Sequence, residues 1–244
     1  MNIAIVGGGI SGISAAWRLH KDHHVTLFEK NTRIGGHSNT FEYKDENGNL
    51  FPIDTGFIVF NDWNYPLFES FIQELDIPAE STDMSFSFTD EKNKISYSGT
   101  KSGLLPQKRS YLNISHILFI LNIYRYSKKL MRTNLQGNKT MVEILTDMGC
   151  PSTVIENYFI PISSAIWSCE PESINHMPAS TFINFFTNHK LFEFFNKPKW
   201  KTIKGGSRKY LDKFQERFNG TIKINTHVQS VEESHESVQI KLLN

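Results

Sequence analysis

The sequence predicts an α/β protein in which a Rossmann-like domain with a parallel sheet, built from both ends of the chain, is interrupted by a mostly helical domain. Three observations carry this expectation. A strand, a glycine turn, a helix and a second strand occupy residues 2–29; strand signals return after residue 220; and helical periodicity dominates residues 110–195. The expected division is residues 1–61 plus 199–244 for the sheet domain and 62–198 for the helical domain, which also holds a small hairpin.

Asn2 to Val6 is a short apolar run ending in glycines, which reads as a buried parallel strand. Ser11 to Lys21 alternates small residues with Ile13, Trp17 and Leu19 at helical spacing, and His24 to Glu29 is a second β-branched strand. Phe41 to Asp54 predicts a hairpin around Asp45-Glu46-Asn47-Gly48, and Tyr65 to Leu75 a helix. Ser85 to Phe88 and Ile95 to Ser98 predict the second hairpin. Helices are expected near Ile114 to Arg132, Met141 to Met148, Thr153 to Ala165 and Ala179 to Phe195, then from Ser207 to Phe218. Thr221 to Asn225, Val228 to Glu232 and Val238 to Leu243 read as strands.

The chain has 244 residues, 39% hydrophobic and 21% charged, with 26 Lys+Arg against 25 Asp+Glu. That composition supports a real core and offers no whole-surface field for nucleic acid, which is not an expected partner. Two cysteines, Cys150 and Cys169, build neither a disulfide framework nor a Cys-rich zinc site, and a reducing compartment fits them. No metal is expected. Glycines interrupt the N-terminal apolar run, which excludes a secretory signal there, and the longest apolar stretch, Ile114 to Tyr124, is about half of the ~20 residues a bilayer span needs. A cytoplasmic chain, soluble or resting on a membrane surface, is the expectation.

Gly7, Gly9 and Gly12 form G-x-G-x-x-G between the first strand and the helix. The first glycine permits the tight turn, the second lets backbone approach a pyrophosphate, and the third allows the helix to close on the strand. Glu29, at the end of the next strand, stands where a carboxylate accepts hydrogen bonds from ribose hydroxyls. Together these predict a dinucleotide site.

Beyond Glu29 stands Arg33-Ile34-Gly35-Gly36-His37, followed by Ile53-Asp54-Thr55-Gly56-Phe57, Pro161 to Ser168 and Trp200 to Arg208. With these segments the chain resembles the flavin amine oxidase and phytoene desaturase superfamily, and within it the bacterial amine-oxidase-like proteins with NAD(P)/FAD-binding domains. The resemblance implies FAD as cofactor. It implies that Gly7, Gly9, Ser11 and Gly12 meet the pyrophosphate, that Glu29 meets the adenosine ribose, and that Arg33, Gly35 and Gly36 line the path from phosphate to flavin. It places the Val228 backbone at adenine and Asp54, Thr55 and Gly56 near the isoalloxazine. Many members carry Arg where this chain has His37, which implies that one fixed phosphate-facing charge is either lost or made pH-dependent. The family's last flavin-contacting segment lies beyond Asn244, which implies that these 244 residues alone hold FAD weakly and catalyse nothing.

His23 and His24 read as solvated, His189 as a structural histidine, and both cysteines as uncatalytic. No catalytic side chain is identified. Lys197, Lys199, Lys201, Lys204, Arg208 and Lys209 place six cations in thirteen residues without an acid, a solvated face or a contact for lipid phosphates. The Phe-rich stretch, with Phe182, Phe185, Phe186, Phe192, Phe194, Phe195 and the preceding Trp167, reads as core or as an apolar cavity. The resulting expectation is an FAD-dependent oxidoreductase that takes a hydride from a C–H bond of an apolar small molecule, an acyl lipid or polyene. An amine oxidase acting on a small amine, an NAD(P)-dependent dehydrogenase and a non-catalytic flavin- or dinucleotide-binding module stay open.

Overall fold

A computed structural model describes residues 1–91, 95–99, 114–133, 137–193, 198–234 and 237–243. In chain order the elements begin with β1 (Asn2–Val6), α1 (Ile10–Leu19), β2 (His24–Phe28), β3 (Thr40–Lys44), β4 (Leu50–Asp54), α2 (Pro66–Glu74) and β5 (Ala79–Ser81). There follow β6 (Ser87–Asp90), β7 (Ile95–Ser98), α3 (Ile114–Met131), α4 (Met141–Asp147), α5 (Ser152–Val154), a π-helical turn (Ile155–Phe159), α6 (Ile160–Trp167), α7 (Pro171–Ile174) and α8 (Ala179–Asn188). The last are β8 (Lys201–Ile203), α9 (Arg208–Arg217), β9 (Thr221–Lys223), β10 (Val228–Glu233) and β11 (Val238–Leu242). The chain forms two compact units, Met1–Thr82 with Lys199–Asn244, and Asp83–Pro198.

In the first unit β2 is central. β1 pairs with it in parallel on one side, Ile3 opposite Val25 and Ile5 opposite Leu27, and β9 pairs in parallel on the other, Leu27 opposite Ile222. β2 is the buried strand; β1, expected to be buried, is the edge of this sheet, with Val6 56% exposed. Ile13, Ala16 and Trp17 of α1, Phe71 and Ile72 of α2 and Tyr210, Leu211 and Phe214 of α9 complete the core.

Helix α2 therefore belongs to the first unit, and the boundary falls after Thr82 rather than after Asn61. The reason is visible in its contacts. The Trp17 indole N–H donates to Glu74 at 2.8 Å, Arg18 pairs with the same carboxylate at 2.9 Å, and β5 pairs antiparallel with β8, Ala79 opposite Ile203. The N–H of Asn219 donates to His20 Nδ1 at 3.0 Å, which ties the last piece of the unit to the end of α1.

In the second unit the aromatic residues are core. Phe159, Phe182 and Phe186 have no exposed surface and Phe192 has 1%; Phe182 and Phe186 rings lie 4.2 Å apart, and Trp167 stacks over Phe186. These side chains pack against one another in the interior of the second unit; Phe194, Phe195 and Lys197 lie outside the described residues. Two expected helices are shorter. Thr153 to Ala165 is split by the π-helical turn, because Pro161 has no N–H to return to the Asn157 carbonyl. That carbonyl takes the buried Tyr97 hydroxyl instead, at 2.8 Å. Helix α8 stops at Asn188, where Lys190 turns to φ +53° and the Leu191 N–H returns to the Phe186 carbonyl.

His20 is a buried titratable group of the first unit. Its ring is buried between Trp17 and Phe218, at centroid distances of 4.8 and 5.4 Å, and Nδ1 accepts from Asn219, so the neutral ring carries its proton on Nε2. Burial, helped by Lys21, lowers its pKa from the ordinary 6.5. The unfolded chain then binds the proton more tightly than the folded one, so stability is full above pH 6.5 and declines as pH falls through the lowered folded value. Denaturant midpoints of the wild type should fall on acidification below 6.5, and His20→Leu should lose that part of the slope whatever its absolute stability. An unchanged slope in the variant would assign the acid sensitivity elsewhere.

Candidate cofactor groove

The glycine loop opens a groove of about 650 Å³ within the first unit. Its polar end is built from Gly7, Gly9, Ser11, Gly12, Gly35, Gly36 and His37, and its apolar end from Phe57, Tyr65, Phe68 and Tyr210. The volume falls in the usual range of small-molecule and cofactor sites.

The polar end is defined by two glycine contacts with opposite logic. A Cβ on Gly12 would stand 1.9 Å from the Gly7 carbonyl oxygen, so the first turn of α1 closes on the β1–α1 loop only because position 12 has no side chain. A Cβ on Gly9 would meet nothing within 4 Å, and Gly9 has an ordinary extended backbone at φ −74°. The fold therefore does not require glycine at position 9. The open space there borders the start of α1, where Ile13 donates the first helical bond to the Gly9 carbonyl and no side chain caps the helix. The N–H groups of Ile10, Ser11 and Gly12 thus have no helical acceptor, and the positive end of the helix faces the groove.

The two glycine motifs are joined directly. Gly35 donates its N–H to the Gly8 carbonyl at 2.7 Å, and Gly8 donates its own to Glu29 Oε2 at 2.7 Å. Glu29 is 6% exposed, and its other oxygen accepts from Asn31 N–H at 2.8 Å, so the carboxylate is fixed beneath the loop with accepting lone pairs left on both oxygens. The chain entering β10 runs beside the end of β2: Thr226 N–H donates to the Glu29 carbonyl and Asn225 N–H to that of Asn31, just ahead of Val228 at the start of β10.

Other expected site residues serve the frame of the groove. Arg33 folds back onto the carbonyls of Ser38, Ile34 and Gly36 at 3.1–3.4 Å and so braces the Gly35-Gly36 turn. The Asp54 carboxylate accepts from Ser207 N–H at 2.9 Å, from the Ser207 hydroxyl at 2.8 Å and from the Thr40 hydroxyl at 2.6 Å, which anchors the start of α9. Thr55 exchanges hydrogen bonds with Asn39, and Gly56 lets the His37 carbonyl pass where a Cβ would be 2.1 Å away. None of Asp54, Thr55, Gly56 and Val228 lines the groove.

Sequence reasoning missed the aromatic end. Phe68 lies edge-on to Phe57 at 5.0 Å and to Tyr210 at 5.5 Å, and the Tyr210 hydroxyl donates to Ser38 at 2.6 Å. Burial pushes the Tyr65 and Tyr210 phenols up, so both stay neutral hydroxyls. The helical period of residues 65–75 signals an apolar face that includes Phe68, but it does not signal that this face packs in the first unit. The expected cation cluster is also partly neutralised: Lys201 pairs with Glu69, and Arg208 lies 3.8 Å from Asp212. His189 Nδ1 lies 3.0 Å from the Phe185 carbonyl, and its ring stacks on that side chain.

The contrast between the two glycines gives a measurable difference. Gly12→Ala should lower unfolding free energy by about 1–3 kcal/mol or more, because backbone atoms must separate to admit the methyl group. Gly9→Ala should change it by less than about 0.5 kcal/mol. Denaturant titration of both variants reads the difference, and equal losses would mean that the geometry at Gly12 is wrong.

The family of NAD(P)-binding Rossmann-like domains matches residues 5–75. A 4,4'-diapophytoene desaturase (4,4'-diaponeurosporene-forming) of Staphylococcus haemolyticus is 51% identical over 43 residues, 17% of this chain and 9% of that protein. A putrescine oxidase, solved bound to putrescine, superposes on 99% of the chain with a TM-score of 0.72 at 15% identity. A CLA-producing fatty acid isomerase from P. acnes superposes on 98% with a TM-score of 0.60 at 15% identity. The chain spans 55% of the length of each of these two structures. Residues 5–75 match the NAD(P)-binding Rossmann-like domain, and the chain as a whole shares its fold with the putrescine oxidase and the fatty acid isomerase.

Proposed function

We propose that this chain supplies the dinucleotide cradle of an FAD-dependent oxidoreductase that takes a hydride from a C–H bond of an apolar substrate, an acyl lipid or a polyene. The observation that carries the cofactor assignment is Gly9: a glycine that neither backbone conformation nor packing requires, beside free helical N–H groups. A pyrophosphate is the group that needs both. The N–H groups of Ile10, Ser11 and Gly12 bind its oxygens, and His37 and Ser11 stand at the rim as further donors. Glu29 accepts from ribose hydroxyls and repels a 2'-phosphate. When bound, FAD supplies the hydride acceptor. The Gly35-Gly36 turn, clamped by Arg33 and bonded to Gly8, belongs to the Arg33 to His37 segment that resembles FAD-binding relatives, and that resemblance supports FAD over a plain nicotinamide dinucleotide.

The substrate assignment rests on the apolar end of the groove and on the local identity to a diapophytoene desaturase. The superposition on a putrescine oxidase supports a second reading, oxidation of a small amine.

In the full chain Gly9→Val should cut FAD affinity by at least ~100-fold, about 2.7 kcal/mol, while leaving the melting temperature of the flavin-free protein in place. Undiminished flavin in that variant would sink the cradle assignment. Anaerobic flavin reduction with polyenes, unsaturated acyl lipids and primary amines side by side then reads the substrate class. Reduction by amines alone would replace the first reading with the second.

A further inference from the structure

We propose that the solvent-facing side of α3 docks the chain on an anionic lipid bilayer. The helix is two-faced. His116, Phe119, Ile123, Tyr126, Ser127 and Leu130 are buried against the second unit. At about 3.6 residues per turn, Ile114, Ile117, Leu118, Leu121 and Tyr124 share the opposite side, and they are 37–72% exposed. They form an apolar stripe ~15 Å long on a helix already anchored by its other face.

The same side continues in a different chemistry. Arg125, Lys128 and Arg132 follow Tyr124 on it, and α3 carries neither Asp nor Glu. Among the described residues none of these three cations pairs with a carboxylate. A shallow hollow of about 610 Å³ opens between Tyr124, Arg125, Lys128, Arg132 and Met148, wide enough for a phosphate head group. Lys129 is turned inward, its ammonium donating to the Met148 carbonyl at 3.3 Å.

Apolar residues at one end of a face and cations at the other match an acyl layer beneath an anionic surface. A tyrosine at their junction suits the interface between the two. A second copy of the chain would bring a like-charged face to this one. No helix among the described residues is long and apolar enough to cross a membrane, so the contact is a surface one. The stripe also shifts the expected lipid-facing cations from the 197–209 segment, where Lys201 and Arg208 have acidic partners, to the end of α3.

The test is co-sedimentation of the full chain with vesicles of phosphatidylcholine, and with equimolar phosphatidylcholine and phosphatidylglycerol, at low and high salt. Binding should require the anionic lipid and fall with salt. Lys128→Glu with Arg132→Glu should weaken it by at least ~25-fold, roughly fivefold for each cation. Leu118→Glu with Leu121→Glu should abolish it, and Lys44→Glu in β3 should leave it unchanged. Absence of sedimentation with the anionic vesicles, equal binding to neutral ones, or indifference to the charge reversals would overturn the proposal. So would a Leu118/Leu121 variant that unfolds or changes oligomeric state, since that result assigns the stripe to a protein contact.

Discussion

The carbonyl of Gly7 occupies the space that a side chain at position 12 would need, and the groove depends on that approach. Because α1 can descend onto the loop, its first N–H groups, which no side chain caps, border the open space over Gly9. The same descent leaves room for the Gly8–Glu29 and Gly35–Gly8 hydrogen bonds, so the carboxylate and the second glycine turn are positioned by backbone groups of one short loop. A cradle made of N–H groups costs no side-chain ordering when a ligand arrives. Among the described residues the groove lining holds no lysine or arginine, which leaves anion binding there to dipoles, hydroxyls and His37.

How much of this was legible in the sequence follows from how local each determinant is. The β1–α1–β2 pattern, the glycine motif and the strand-end Glu29 depend on neighbours in sequence, and the structure has them within two residues of the expected positions. The hairpin at β3 and β4 is equally local, its turn held by Asp45 accepting from Asn47 and Asn49. Pairing of β9 with β2 is a long-range event that no local pattern reports. The role of Asp54 is of the same kind: its partners Ser207 and Thr40 come together only when α9 folds onto the hairpin.

The misplacements have a common physical origin. Periodicity shows that residues 65–75 have an apolar face but not what that face meets, and Trp17, Phe214 and Tyr210 proved to be the answer. Abundant phenylalanine likewise shows that apolar surface will be buried without showing whether a cavity remains. In the second unit Phe182, Phe186 and Phe192 close on one another, while in the first unit Phe57, Tyr65 and Phe68 line the groove. A proline signals a break in a helix, yet the device used at Pro161 is a π-helical turn whose freed carbonyl is satisfied by Tyr97, sixty residues earlier.

The central claim is that the N–H groups opening α1 bind a pyrophosphate. An amide proton–nitrogen correlation spectrum of the full chain, recorded while ADP is titrated in, tests it directly because ADP carries the pyrophosphate and adenosine without the flavin. The account predicts that the amides of Gly9, Ile10, Ser11 and Gly12 move together and saturate with one binding constant, while amides of the second unit stay in place. Shifts that spare these four amides, with ADP bound elsewhere or not at all, would contradict it.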